Sequence, residues 1–313
     1  MTAGVLLCAL LAAATQAPAA VSPATPLSIG DTFTIQSKVL GETRRINVYR
    51  PPGYNDPRKA PVPVLYMPDG GMQEDFLHVA GLVQVSVGNN TMRPFLLVGI
   101  ENTERRRDLT GPTTDDEDRK IAPRVGGSAA FRAFIRTELM PAIKARYRTT
   151  AETAIVGESL AGLFVAETFF LEPDLFDTYI AIDPSLYWSH EALVTGAAER
   201  LKTYTARNRT LFLASSDYPG LYEPTARLAA ILEKNPRPGL VWHYEPMPAE
   251  THATIYQPAA LAAFRALFKP APAKRPRRAS GGQTGVRRGS AGGQTGVRPP
   301  SKPDSTQSYQ TGS

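Results

Sequence analysis

Short apolar runs alternate with helical periods through residues 21–269. Residues 32–39 and 45–49 read as an antiparallel pair joined by a turn around Gly41. Runs at 62–67, 95–100, 153–156, 179–182, 210–214 and 240–244 are continuously apolar rather than alternating. Such runs suit strands buried on both faces of a parallel sheet. Between them, Phe131, Phe134, Ile135, Leu139 and Ile143 recur at three- and four-residue spacing, which marks one face of an amphipathic helix. Leu163, Phe164, Ala166, Glu167 and Phe170 suit a largely buried helix, and residues 226–232 and 260–268 give shorter ones. This alternation predicts right-handed crossovers and an α/β class protein, a three-layer α/β/α sandwich on a mostly parallel sheet. Residues 102–128 do not fit. They are polar and charge-dense, and a loop of that length in a compact domain is usually functional or mobile.

Composition changes the picture mainly at the two ends. A hydrophobic share of 42% excludes a wholly disordered chain of 313 residues. The net charge of +6 invites a nucleic-acid reading. However, residues 270–313 carry eight Lys and Arg against the single acid Asp304, which leaves the rest close to neutral. The basicity therefore belongs to an appendage, and nucleic-acid binding is not expected as the main function. That tail spells GGQTGVR at 281–287 and again at 292–298, too short and polar to build a solenoid. Its composition predicts a disordered basic Gly/Arg/Pro-rich segment. Residues 1–20 read as a secretory signal, with an apolar run over 5–14 and small residues at Ala17, Ala19 and Ala20. The run is shorter than the roughly 20 residues of a membrane span. The only cysteine, Cys8, lies within it, so a processed chain would have no thiol and would tolerate an oxidising compartment. The expected organisation is a signal at 1–20, one domain at 21–269, a tail at 270–313, and export to the periplasm or medium.

The chemistry concentrates at Gly157-Glu158-Ser159-Leu160-Ala161, between a buried strand and a buried helix. A nucleophile elbow needs this context: a serine at a tight strand-to-helix turn, with small residues two places before and after it. Gly157 and Ala161 meet that demand. The plainer alternative is an ordinary turn with Ser159 as a helix cap. An activated serine needs a base, and only four histidines are available. His78 falls in a helix, His243 on a strand and His190 at a helix start. His252 follows the last strand and precedes the last helix, in the order Ser…Asp…His, so it is the expected base. The expected acid is Asp217, the first after strand 210–214, with Glu223 as its rival. The acid would hold the imidazole tautomer and stabilise the imidazolium. Oxyanion donors are expected from the backbone N–H of Leu160 and from Gly70 in the glycine pair at 70–71.

The stretch GESLAGLFVAETFFLEPDLFDTYIAIDPSLYW (157–188) resembles the α/β-hydrolase esterase group that includes siderophore esterases. So do VLYMPDGG (64–71), NTERRRDLT (102–110), residues 126–149 and ETHAT (250–254). The resemblance implies the α/β-hydrolase fold and serine ester hydrolysis of a small-molecule substrate, with no cofactor and no metal. It also implies that Arg105, Arg106 and Arg107 face the substrate, as in esterases of a large, anionic, aromatic triester. With Ser159 as nucleophile, these arginines and the pair Tyr187 and Trp188 are candidates to line the acyl or alcohol site, the plainer alternatives being a solvated charge run and a satisfied aromatic cluster. Two departures stand out: Glu158 where His is common, and Ala161 where Gly is common. The acid varies within the group, so its identity stays open. An acyltransferase with the same residues and a non-catalytic binding protein on the same fold remain alternatives.

Overall fold

The computed structural model describes residues 22–121, 124–206 and 208–270. The expected signal at 1–20 and nearly all of the expected tail lie outside the described residues. In chain order the elements begin with β1 (Gly30–Ser37), β2 (Glu42–Tyr49), β3 (Val62–Met67), α1 (Phe76–Gly88) and β4 (Leu96–Ile100). Short helices α2 (Arg105–Leu109) and α3 (Asp116–Ile121) come next, then α4 (Ser128–Phe134) and α5 (Met140–Arg146), joined by a π-helical segment at Ile135–Leu139. The second half holds β5 (Thr149–Glu158), α6 (Leu160–Leu171), β6 (Thr178–Ile182), α7 (Trp188–Thr195) and α8 (Ala197–Lys202). It closes with β7 (Arg209–Ser215), α9 (Pro219–Lys234), β8 (Leu240–Pro246) and α10 (Tyr256–Leu267).

The eight strands form one sheet in the order β1-β2-β4-β3-β5-β6-β7-β8. β2 runs antiparallel to β1 and to β4, and the pairs from β4–β3 through β7–β8 are parallel. The continuous apolar runs now have their reason. Val64, Tyr66, Ile155, Tyr179, Leu211 and Leu213 face the layer that holds α4 to α9. Their neighbours Leu65, Met67, Ala154, Val156, Ile180 and Phe212 face α1 and α10. Each of these strands buries side chains on both faces, and each fully buried Leu, Ile or Phe contributes about 1.5–3 kcal/mol. α6 is buried from Leu160 to Phe170, as its largely apolar sequence predicts.

Two expectations need correction. β8 is not buried on both faces: its residues alternate between half-buried and exposed, because it is the edge strand and pairs only with β7. Residues 102–128 are not structureless. They hold α2 and α3, five and six residues long, which are too short to show a helical period.

Candidate active site

β5 ends at Glu158, α6 begins at Leu160, and Ser159 lies between them with φ 61° and ψ −122°. A serine reaches that region only under strain, which costs on the order of 1–3 kcal/mol. Neighbouring groups hold it there. Its N–H donates to Ile182 O at 3.1 Å, and its carbonyl accepts from Leu163 at 2.9 Å and from Ser185 at 3.1 Å. The turn is tight enough that a Cβ on Gly157 would come within 2.7 Å of the Ala161 carbonyl carbon. This is why the sequence has a glycine two residues before the serine.

His252 lies in the loop between β8 and α10, with Nε2 3.2 Å from Ser159 Oγ. Backbone bonds strap that loop to the end of β7: Met247 N–H to Ser215 O at 2.8 Å, and Asp217 N–H to Glu250 O at 3.0 Å. On its other nitrogen the imidazole meets Asp183, whose Oδ2 is 2.7 Å from Nδ1. Asp183 is fully buried at the end of β6. It also accepts hydrogen bonds from the Ser216 N–H at 2.8 Å and the Ser216 hydroxyl at 2.7 Å. Glu158 brings a second carboxylate oxygen to 3.1 Å from Nδ1. Nδ1 therefore carries the ring's proton, and Nε2 is left to accept from Ser159. The hydrogen bond to Asp183 raises the His252 pKa above its ordinary 6.5, although burial works against it. Burial pushes the Glu158 carboxyl up to about 7, helped by Asp183 and Asp75 and opposed by His252 and Arg105.

The carboxylate that meets the imidazole is therefore Asp183 and not the expected Asp217. Asp217 is exposed, and it contributes a backbone N–H that holds the histidine loop. Glu223 is also no partner of the imidazole. Its side chain is 62% exposed on α9, beside Arg227. Asp183 had a signal in the sequence: it is the first residue after an unbroken apolar strand and precedes Pro184.

Leu160 opens α6, where a helix leaves its first N–H groups without an internal acceptor. Gly70 offers no such open amide. Its N–H donates to Ile100 O at 3.0 Å, extending the sheet. A Cβ there would lie 2.3 Å from Gly99 Cα, so the glycine serves close backbone packing. The neighbouring Gly71 N–H is held by Glu74 Oε2 at 2.6 Å.

The three arginines have different surroundings. Arg105 forms a two-pronged pair with the buried Asp69, at 2.7 and 2.8 Å. Asn102 donates to the same carboxylate at 2.6 Å. Together they fix the loop after β3, where Asp69 sits at φ 54°. Arg107 is tied to Asp108 and to Glu42, each at 2.7 Å, and so belongs to a structural network. At the centre of that network is the fully buried Arg44, bonded to Asp108 at 2.5 Å and to Glu42 at 2.9 Å. Arg106 is exposed. The aromatic pair divides in the same way. Trp188 is 7% exposed and donates to Gly111 O at 3.0 Å, while Tyr187 is 41% exposed.

Among the described residues, Glu158, Asp183 and His252 bring ligand-type atoms within 4.8 Å of one another. Tetrahedral ligands each ~2.1 Å from an ion stand ~3.4 Å apart. The 2.7 Å between Nδ1 and Asp183 is a hydrogen-bond distance, too short for that arrangement. The assembly can instead take a proton from a serine hydroxyl and stabilise the cation that results. No helix among the described residues is long and apolar enough to cross a membrane.

Residues 37–237 match the family model Esterase, described as "Putative esterase". The chain belongs to this esterase family. Among curated relatives, this chain is 30% identical over 168 residues to the ferri-bacillibactin esterase BesA of Bacillus subtilis, covering 47% of this chain and 56% of that one. It is 31% identical over 191 residues to the siderophore triacetylfusarinine C esterase of Aspergillus fumigatus, covering 53% and 61%. The matched part is thus little more than half the length of either relative. Among solved structures, an IroE-like serine hydrolase from Shewanella oneidensis superposes with a TM-score of 0.71 and 28% identity, over 77% of this chain and 80% of that one. The fold is that of the α/β-hydrolases. The family match ends at residue 237, before His252.

Proposed function

We propose that this chain is a serine hydrolase of carboxylic esters that works through Ser159, His252 and Asp183. The observation that carries the reading is the continuous chain of contacts, 3.2 Å from Ser159 Oγ to Nε2 and 2.7 Å from Nδ1 to Asp183, on a serine held in a strained elbow. Ser159 Oγ attacks the ester carbonyl as His252 Nε2 takes its proton. The Leu160 N–H faces the developing oxyanion. The imidazolium then protonates the departing alkoxide, which leaves an acyl-enzyme on Ser159. Water, deprotonated by His252, hydrolyses that ester and restores the serine. Asp183 stays ionised throughout, holding the tautomer and stabilising the imidazolium.

The substrate class proposed is a siderophore-type ester, a reading supported by the names of both curated relatives. Tyr187 supplies an exposed aromatic surface just after the β6 end, where an aromatic acyl group could rest. Export is proposed from the 1–20 segment alone. Mass spectrometry of the mature N-terminus tests it.

A panel of short-acyl, feruloyl and catecholate-lactone esters tests the activity, with Ser159→Ala as the control. Turnover in that variant at the wild-type level would remove the assignment. Labelling of Ser159 by a fluorophosphonate reads the nucleophile directly.

A further inference from the structure

His252 has two carboxylates at one nitrogen, and they differ in their surroundings. Asp183 arrives from the end of β6, with both Ser216 bonds compensating its charge. Glu158 arrives from the end of β5, with its side chain only 15% exposed. The charged groups that bear on it are His252, Asp183 at the end of β6, Arg105 on α2 and Asp75 ahead of α1. The buried Tyr256 phenol of α10 also feels its charge. Arg105 is already engaged in two bonds to Asp69, so the imidazole is the nearest cation-forming group that can answer Glu158.

We propose that Glu158 is a positioning residue for His252: it stands in ion-pair contact with the Nδ1 that bonds Asp183, sets the basicity of the ring, and takes over the Nδ1–H to retain the productive tautomer when Asp183 is removed. This rests on the Ser159–His252–Asp183 reading and deepens it. One N–H cannot bond two carboxylates equally well: Nδ1 is hydrogen-bonded to Asp183 at 2.7 Å, and Glu158 stands beside it as an ion-pair partner at 3.1 Å. When the ring takes the serine proton it becomes a cation between two acceptors, so both carboxylates favour the charged form. In the resting enzyme the same attraction raises the imidazole and would block it as a base at acidic pH. Burial limits that effect, since it pushes Glu158 up to about 7 and lets the carboxyl take its own proton as the pH falls. The two groups then titrate as a coupled pair.

The test is the pH profile of kcat/KM on p-nitrophenyl acetate for the wild type, Glu158→Gln, Asp183→Asn and the double variant. Removing a carboxylate charge this close to an imidazole shifts its titration by about 1 unit, so the acidic limb of Glu158→Gln moves down by that amount. The double variant falls at least about 10-fold below Asp183→Asn, because general-base catalysis loses its last orienting acceptor. Glu158→Asp, which keeps the charge, restores the limb toward its wild-type position. An unmoved limb in Glu158→Gln, or a double variant no worse than Asp183→Asn, overturns the proposal. If the Gln variant does not fold, Glu158→Ala against wild type carries the test, since it too removes the carboxylate and must lower the limb. Failure of the underlying reading looks different: Ser159→Ala would retain activity. An inactive Ser159→Ala with an unmoved Glu158→Gln limb leaves the three-residue assembly standing and removes only the role of Glu158.

Discussion

Asp108→Ala tests whether Arg44 and Arg107 serve the fold rather than the substrate. Asp108 is almost fully buried and accepts from Arg44 at 2.5 Å and from Arg107 at 2.7 Å. Its loss leaves the fully buried Arg44 guanidinium with Glu42 at 2.9 Å, Thr103 at 2.8 Å and the Glu101 carbonyl at 3.0 Å. Breaking a buried pair from one side costs about 3–5 kcal/mol, and the surviving Glu42 contact places this case near ~3 kcal/mol. For a domain of this size that is a fall in Tm of roughly 6–12 °C. Urea unfolding followed by tryptophan fluorescence measures the free energy, and KM on a neutral ester is measured on the same sample. Acid gives a second signature. Burial alone would raise Glu42, but hydrogen bonds from Arg107, Thr103 and Arg44 bring it down from 4.5 to about 2. A depressed carboxylate contributes stability that is complete above 4.5 and is lost as the pH falls toward 2. Arg107→Gln should therefore flatten the acid-unfolding arm in that window. A stability loss under about 1 kcal/mol for Asp108→Ala, or an unchanged Tm with a raised KM, would refute the structural reading of Arg107.

Three further outcomes follow from the site. Asp217→Asn and Glu223→Gln should leave kcat/KM within about 2-fold, whereas Asp183→Asn should lower it by ~10²-fold or more in the same ester assay. An equal loss at Asp217 would restore it as the acid. Gly157→Ala places a methyl 2.7 Å from the Ala161 carbonyl carbon, so it should destabilise by about 1–3 kcal/mol in a thermal melt and depress turnover. Wild-type stability with full activity would show that the elbow has room. Catalysis needs neutral His252, whose pKa is raised, so wild-type kcat/KM should climb with pH through a midpoint above 6.5. A midpoint at or below that value contradicts the hydrogen bond to Asp183.

Ser159 and His252 were legible in the sequence because each sits in a local pattern: a small-residue turn between a strand and a helix, and a loop between the last strand and the last helix. The acid was not. Asp183 and Asp217 both follow buried strands, and the choice depends on which strand end leans toward the imidazole. That is set by packing between distant segments, with Ser216 of one strand holding the carboxylate of the other. Gly70 was misread for a related reason. A glycine pair after a strand suggests an amide open to substrate, but only the sheet register reveals that Ile100 O takes the Gly70 N–H. The arginine triplet reads as one cationic patch in one dimension. Folding distributes it over α2, where Arg105 and Arg107 find different carboxylates. The run at 240–244 is as apolar as a central strand, and nothing local marks it as the edge.

The edge position of β8 bears on how the protein would fail. The strand that delivers His252 is paired along one side only, while β5 and β6, which deliver Ser159 and Asp183, have a neighbour on each side. Edge elements open by local fluctuation at less cost than the whole fold, so amide exchange should be faster in β8 than in β5. Such an opening would withdraw the base while the strained elbow stayed intact. Moderate heat or denaturant would then produce a dormant population, folded at the centre and recoverable on cooling, before any loss of the core. The first thing this protein gives up under stress would be its proton acceptor.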